Sequence, residues 1–105
     1  MIINKKGALM ITITLNAFNF VREKLKDQNI PFLNAPVTLP DNFTPQMLLD
    51  KYHLDEHDVE FVFINGKVHP KNTSLKNGDR LALVPPGTPG SYRLLLGAKG
   101  KVEEN

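Results

Sequence analysis

The sequence contains no cysteine. That excludes thiol nucleophiles, disulfides and zinc–thiolate centres together. A small protein that folds without disulfides is expected in a reducing compartment, here the cytoplasm. No apolar run approaches the roughly 18 residues that suggest a membrane span. The opening MIINKKGALM has a lysine pair but no h-region and no small-residue cleavage site, so no signal peptide is read there. Without one, the glycosylation-type triplets at Asn42 and Asn72 carry no weight. An excess of one charge is missing as well. The net charge is +2 with both signs scattered, too small a bias to predict a nucleic-acid or membrane partner.

What is present suits one globular domain. The 105 residues can build a modest single core, and 41% apolar with 23% charged residues argues against disorder. Residues 1–9 lack periodicity and read as a flexible extension, with the domain beginning at Met10. Ile11, Ile13 and Leu15 alternate with Thr12 and Thr14, the pattern of a half-buried strand. Phe18, Val21 and Leu25 then fall at helical spacing and predict one or two turns of helix. Residues 35–39 form a short strand that Pro36 confines to a sheet edge or strand start. The clearest helix start follows. Thr44 can cap it, Pro45 suits its first position, and Phe43 with Leu48 forms a hydrophobic staple. Leu48 and Tyr52, four apart, share its core face.

Phe61-Val62-Phe63-Ile64 reads as a buried strand, and Asn65-Gly66 is a strong hairpin signal into a short return strand from Lys67. A turn over residues 76–79 leads into Arg80-Leu81-Ala82-Leu83-Val84. Its scant alternation places it at the sheet centre. Strands are many and helices few. The expected class is α+β, a two-layer sandwich with one main helix over one sheet face.

Self-contained chemistry is hard to find. His53 and His57 stand four apart, but they follow the expected helix exit and nothing resembles a zinc motif, so no metal site is read. Asp50, Asp55, Glu56, Asp58 and Glu60 read as solvated surface. Gly87-Thr88-Pro89-Gly90 has the GxxG spacing of one RNA-binding loop, yet it follows a strand rather than joining two helices. The remaining feature is the stretch Pro85, Pro86, Gly87, Thr88, Pro89 and Gly90, which has no side chains to build a core. Extended, it reaches roughly 20 Å. It is either a linker or a probe for a partner's cleft.

Several pieces, in order, resemble the ThiS/MoaD family of ubiquitin-like sulfur carriers. They are the Ile11–Leu15 strand with the Phe18/Val21/Leu25 turn, and Val37-Thr38-Leu39-Pro40 before a capped helix. After these come Phe61-Val62-Phe63-Ile64-Asn65-Gly66-Lys67, and Leu75 through Gly78-Asp79 to Pro85-Pro86. The resemblance covers residues 10–90. It implies a β-grasp fold of four to five mixed strands over residues 10–86, with the first and last strands parallel and central. Residues 87–105 are left as a tail. The implied role is that of a carrier, not an enzyme, and needs no cofactor or metal of its own. A ubiquitin-activating-type enzyme adenylates the terminal carboxylate, which becomes a thiocarboxylate. The sulfur then passes to thiamin thiazole or, with a molybdopterin-synthase-like large subunit, to a pterin dithiolene. The Pro-Pro ending tilts the choice toward molybdopterin or its tungsten counterpart.

At the reactive end the chain departs from this pattern. The family closes on Gly-Gly, whereas this chain has Pro89-Gly90 and continues to Asn105. Gly90 has no free carboxylate unless the bond to Ser91 is cut. Beyond it, Tyr92, Leu94 and Leu96 alternate with Ser91, Arg93 and Leu95 in a strand-like pattern. Each leucine left in water forgoes about 1.5–3 kcal/mol of burial, so this segment is expected to pack on its own sheet or on a partner's edge. The alternative to a carrier is a non-conjugating ubiquitin-like module that kept the fold and lost the reactive end.

Overall fold

A computed structural model of the protein describes residues 2–3 and 9–87. In chain order the elements are β1 (Ile2–Ile3), β2 (Leu9–Ala17), α1 (Phe20–Lys26), β3 (Ala35–Pro40) and α2 (Pro45–Lys51). Then come β4 (Phe61–Ile64), β5 (Lys67–His69) and β6 (Arg80–Val84). All the strands join one sheet, with β2, β6, β4 and β5 as successive neighbours and β3 on the far edge of β2. β2 and β6 run parallel at the centre, and every other pairing is antiparallel. This is the β-grasp arrangement.

Local chemistry sets the elements. Thr44 Oγ1 accepts from the Met47 amide at 3.2 Å, with Pro45 in the first helical position, so α2 starts where the sequence places it. Asn65 and Gly66 both have positive φ, at 54° and 84°. A type I′ turn needs that pair of angles, and it joins β4 to β5 in register. β3 pairs only with β2, an edge position that accommodates Pro36 and Pro40.

Two expectations change. The stretch 1–9 is not wholly an extension: Ile2 pairs with Met10, Ile3 pairs with Leu9, and Leu9 opens β2. The physical reason is the length of β2. Its β6 side pairs only from Thr14 onward. Lower down, Thr12 accepts from the Gly78 amide and donates to Asn77 Oδ1, both at 2.8 Å. The Leu9 carbonyl accepts from the Asp41 amide on the β3 side, and on the other side β1 comes to lie beside Met10. The second change concerns helices. α1 and α2 are seven residues each, so two equal helices, not one main helix, cover the sheet.

The odd positions of β2 point to this helical side. Ile11, Ile13, Leu15 and Ala17 are buried with Val21 and Leu25 of α1, Leu48 and Leu49 of α2, and Leu81 and Leu83 of β6. Even positions point the other way, where Phe63 and Val84 form a second, smaller cluster.

The tail exit as candidate functional site

The parallel pairing of β2 with β6 decides where the chain leaves the domain. Ala17 stands opposite Leu83, so both strands end at the same edge of the molecule. Val84 is the last ladder residue. It faces Phe61, and its carbonyl accepts from the Glu60 amide at 2.9 Å. Pro85 is still buried, while Pro86 and Gly87 are exposed. Gly87 has φ +81°, and Pro followed by such a glycine suits the two central positions of a type II turn. The chain therefore bends as soon as it clears the sheet, and Pro86, not Pro85, is the first exposed residue beyond β6. Thr88, Pro89, Gly90, Tyr92, Leu94 and Leu96 lie outside the described residues.

The rim of this exit is braced from α1. Arg22 Nε donates to the Ala17 carbonyl at 2.6 Å, and its guanidinium stands 5.7 Å from the ring centroids of both Phe18 and Phe32. A cation between two ring faces is held by their quadrupoles as well as by the hydrogen bond. The Ala17 amide in turn donates to the Phe32 carbonyl. Phe20 and Leu33, close in sequence to these anchors, are 42% and 62% exposed.

On the sheet face away from the helices lies a hollow of about 300 Å³, lined by Asn16, Phe18, Asn34, Phe63, Arg80 and Ala82 among others. Asn16 and Asn34 tie its rim together: the Asn34 amide donates to Asn16 Oδ1 at 2.9 Å, and Asn16 Nδ2 donates to Asn34 Oδ1 at 3.3 Å. Three strands and a turn contribute to it, which no single stretch of sequence reveals.

The histidines do not assemble. His53 follows α2 with φ 58°, His57 is exposed and His69 closes β5. Among the described residues, no three metal-ligating side chains converge. The acidic stretch needs one correction. Asp58 is not solvated surface but buried, 6% exposed, and bonded to Lys24 Nζ at 2.5 Å. Its Oδ2 also accepts from the Asp55 amide at 2.9 Å. Burial alone would raise the Asp58 carboxyl, yet the Lys24 and Asp55 hydrogen bonds outweigh it and hold the group below the usual carboxylate range. The same bond raises Lys24. The pair's contribution is therefore complete between the ordinary values of 3.8 and 10.5. It fades as pH falls through the depressed Asp58 value, and as pH rises through the elevated Lys24 value. In Asp58→Asn, thermal unfolding against pH is expected to show a lower midpoint between those limits and to converge with wild type in acid. A gap that persists in strong acid contradicts the ion pair as its cause.

No helix among the described residues is long and apolar enough to cross a membrane. A comparison with curated proteins gives no match. The model of the ThiS family matches residues 18–90, from the turn after β2 through β6 and into the tail as far as Gly90. That span exceeds half of the chain and joins the β-grasp sheet to the segment leaving it, and so the chain belongs to the ThiS family of ubiquitin-like sulfur carriers.

Proposed function

We infer that the chain carries sulfur as a thiocarboxylate on Gly90, after cleavage of the Gly90–Ser91 bond, for assembly of a molybdenum or tungsten pterin cofactor in the cytoplasm. Proteins of this family are small carriers that work with adenylating or synthase partners, not catalysts. The observation that carries the reading is the position of the exit. A central strand locked on both sides ends at Val84, and an exposed Pro86-Gly87 turn starts the tail. With Pro85 anchored, the five residues Pro86 to Gly90 reach about 17 Å. That is enough to thread a partner's channel while the folded domain stays outside it.

Proteolytic hydrolysis of the Gly90–Ser91 bond supplies the carboxylate and releases residues 91–105. The activating enzyme and ATP convert that carboxylate to an acyl adenylate with loss of pyrophosphate. Sulfide-level sulfur from a donor then displaces AMP to leave the thiocarboxylate. No side chain of this domain takes part in the bond changes. Its residues dock and position. Pterin over thiazole rests on the Pro85-Pro86 ending and is the finest part of the proposal.

One observation favours the alternative of a non-conjugating interaction module. Pro89 occupies the penultimate position, where its ring and fixed φ suit a narrow channel poorly, and the chain continues past Gly90. Intact mass of the protein recovered from its own cells separates the two. A species ending at Gly90 supports the carrier. Full-length protein alone, in cells making the cofactor, supports the module.

A further inference from the structure

Two Asn-Gly pairs lie at the end of the sheet opposite the tail exit. Asn65-Gly66 turns β4 into β5, and Asn77-Gly78 sits in the turn that leads into β6. Ile64 pairs with Leu81 near the start of β6, whereas Phe61 pairs with Val84 at the exit.

Asparagine before glycine carries a latent reaction. The glycine nitrogen attacks the asparagine Cγ, and no side chain on the glycine obstructs the approach. A C–N bond forms and the Cγ–Nδ2 bond breaks. The proton lost by the glycine nitrogen is balanced, through water, by the one that the departing ammonia takes up. Water then opens the succinimide ring to aspartate or isoaspartate. For this, Cγ must swing over the next peptide nitrogen into a near-attack arrangement. A side chain bonded elsewhere is kept from that swing.

The two pairs are held differently. Thr12, in β2, pins both reacting groups of Asn77-Gly78. Its amide donates to Asn77 Oδ1 and its carbonyl accepts from the Gly78 amide, both at 2.8 Å. At Asn65-Gly66 only the side chain is pinned. The Arg80 amide donates to Asn65 Oδ1 at 3.0 Å, and Asn65 Nδ2 donates to Asp79 Oδ1 at 2.9 Å. Gly66 is exposed, and no acceptor among the described residues takes its amide. The nucleophile is free and only the electrophile is restrained.

We propose that Asn65 is a site of spontaneous covalent modification, closing onto Gly66, and that the Asp79 carboxylate holds it unreacted. The Asn65–Asp79 bond is charge-assisted. Asp79 is itself fixed: its Oδ2 accepts from the Lys76 amide at 2.8 Å, and its own amide donates to the Lys76 carbonyl at 3.0 Å. One carboxylate thus bridges the turn before β6 to the tip of the β4–β5 hairpin. No residue of the tail enters this argument, so it stands apart from the carrier reading.

Modification reverses the contact. An oxygen replaces the Nδ2 donor, and two carboxylates meet where a donor met an acceptor. Isoaspartate also routes the backbone through the side chain, adding a carbon to a two-residue turn with no spare length. In the unmodified chain the Asn65 amide donates to the Arg80 carbonyl at 2.8 Å, and Asn65 Oδ1 takes the Arg80 amide in return. The modified hairpin is expected to lose this pair of bonds, loosening β6 at its start.

The test incubates full-length wild type, Asp79→Ala and Asp79→Ser in warm, mildly alkaline buffer, beside wild type unfolded in urea. Peptide mass spectrometry follows asparagine, aspartate and isoaspartate at positions 65 and 77. In folded wild type, Asn65 is expected to react more slowly than in urea and faster than Asn77. Asp79→Ala should speed Asn65 about tenfold, the scale of one charge-assisted hydrogen bond. The serine hydroxyl can still take the Lys76 amide but offers no second oxygen to Asn65. Asp79→Ser therefore separates loss of the contact from loosening of the turn. Acceleration confined to Asn65 in either variant supports the proposal. An unchanged rate at Asn65 in both variants, or equal acceleration at Asn65 and Asn77 in both, overturns it. So does faster reaction at Asn77 than at Asn65 in the folded wild type.

Discussion

A chain ended at Gly90 is expected to accept sulfur from an activating enzyme, ATP and a sulfur donor, and the full-length chain to accept none. The difference is one of bond type, not of affinity. Adenylation needs a carboxylate oxygen as nucleophile, and in the full chain the Gly90 carbonyl belongs to the amide with Ser91. That oxygen lacks the full negative charge of a carboxylate, and no acyl adenylate forms at Gly90 while its carbonyl carbon stays bonded to the Ser91 nitrogen. Mass spectrometry of the product reads the exchange of one oxygen for sulfur directly. Pro89→Gly in the shortened chain should react faster, because glycine removes the ring and the fixed φ next to the reacting carbonyl. On the carrier reading the domain is a spectator to both changes, because the reacting carbonyl lies five residues beyond Pro85, which is buried at the end of β6. Equal inertness of the two chains, with an enzyme active on its own carrier, removes thiocarboxylate formation from the account. The module reading then stands.

Legibility in the sequence followed the range of the interactions. Thr44 caps a helix three residues away, and Asn65-Gly66 adopts its turn through its own backbone preferences, so both could be read from neighbours in the chain. The central place of β6 was readable because a strand covered on both faces loses its alternation; Leu81, Leu83 and Val84 are all buried. β1 was not readable. Two isoleucines have no period, and their pairing depends on which edge of β2 the rest of the sheet leaves open. The Lys24–Asp58 bond joins residues 34 apart, and nothing in an acidic run says which member will be buried. The hollow takes Asn16, Phe63 and Arg80 from separate strands, so it exists only once β2, β6 and β4 are side by side. The proposed carrier end was legible as a motif alone, since the order of residues at Pro85 to Gly90 carries no record of whether the next bond is cut.

Leu83→Ala is expected to destabilise the domain by about 2–5 kcal/mol, the loss typical of a large-to-small change at a buried leucine. Leu83 is 0% exposed on β6 and sits across from Ala17 on one side and Val62 on the other. Both neighbours belong to strands in register, so the backbone has little freedom to close the cavity. A domain of this size has about 5–15 kcal/mol in total, and the loss would show as a much lower urea midpoint at an unchanged slope. Leu33→Ala is the control. That side chain is 62% exposed, and its removal should change stability by no more than about 0.5 kcal/mol. The consequence also reaches function. Leu83 precedes Val84 and Pro85, the two residues that hold the base of the tail, so loosening β6 frees the exit while leaving the tail chemically intact. Partner binding in Leu83→Ala should then weaken even under conditions where the domain stays folded. Stability matching that of Leu33→Ala would mean that β6 is not the buried central strand from which the tail's position was derived.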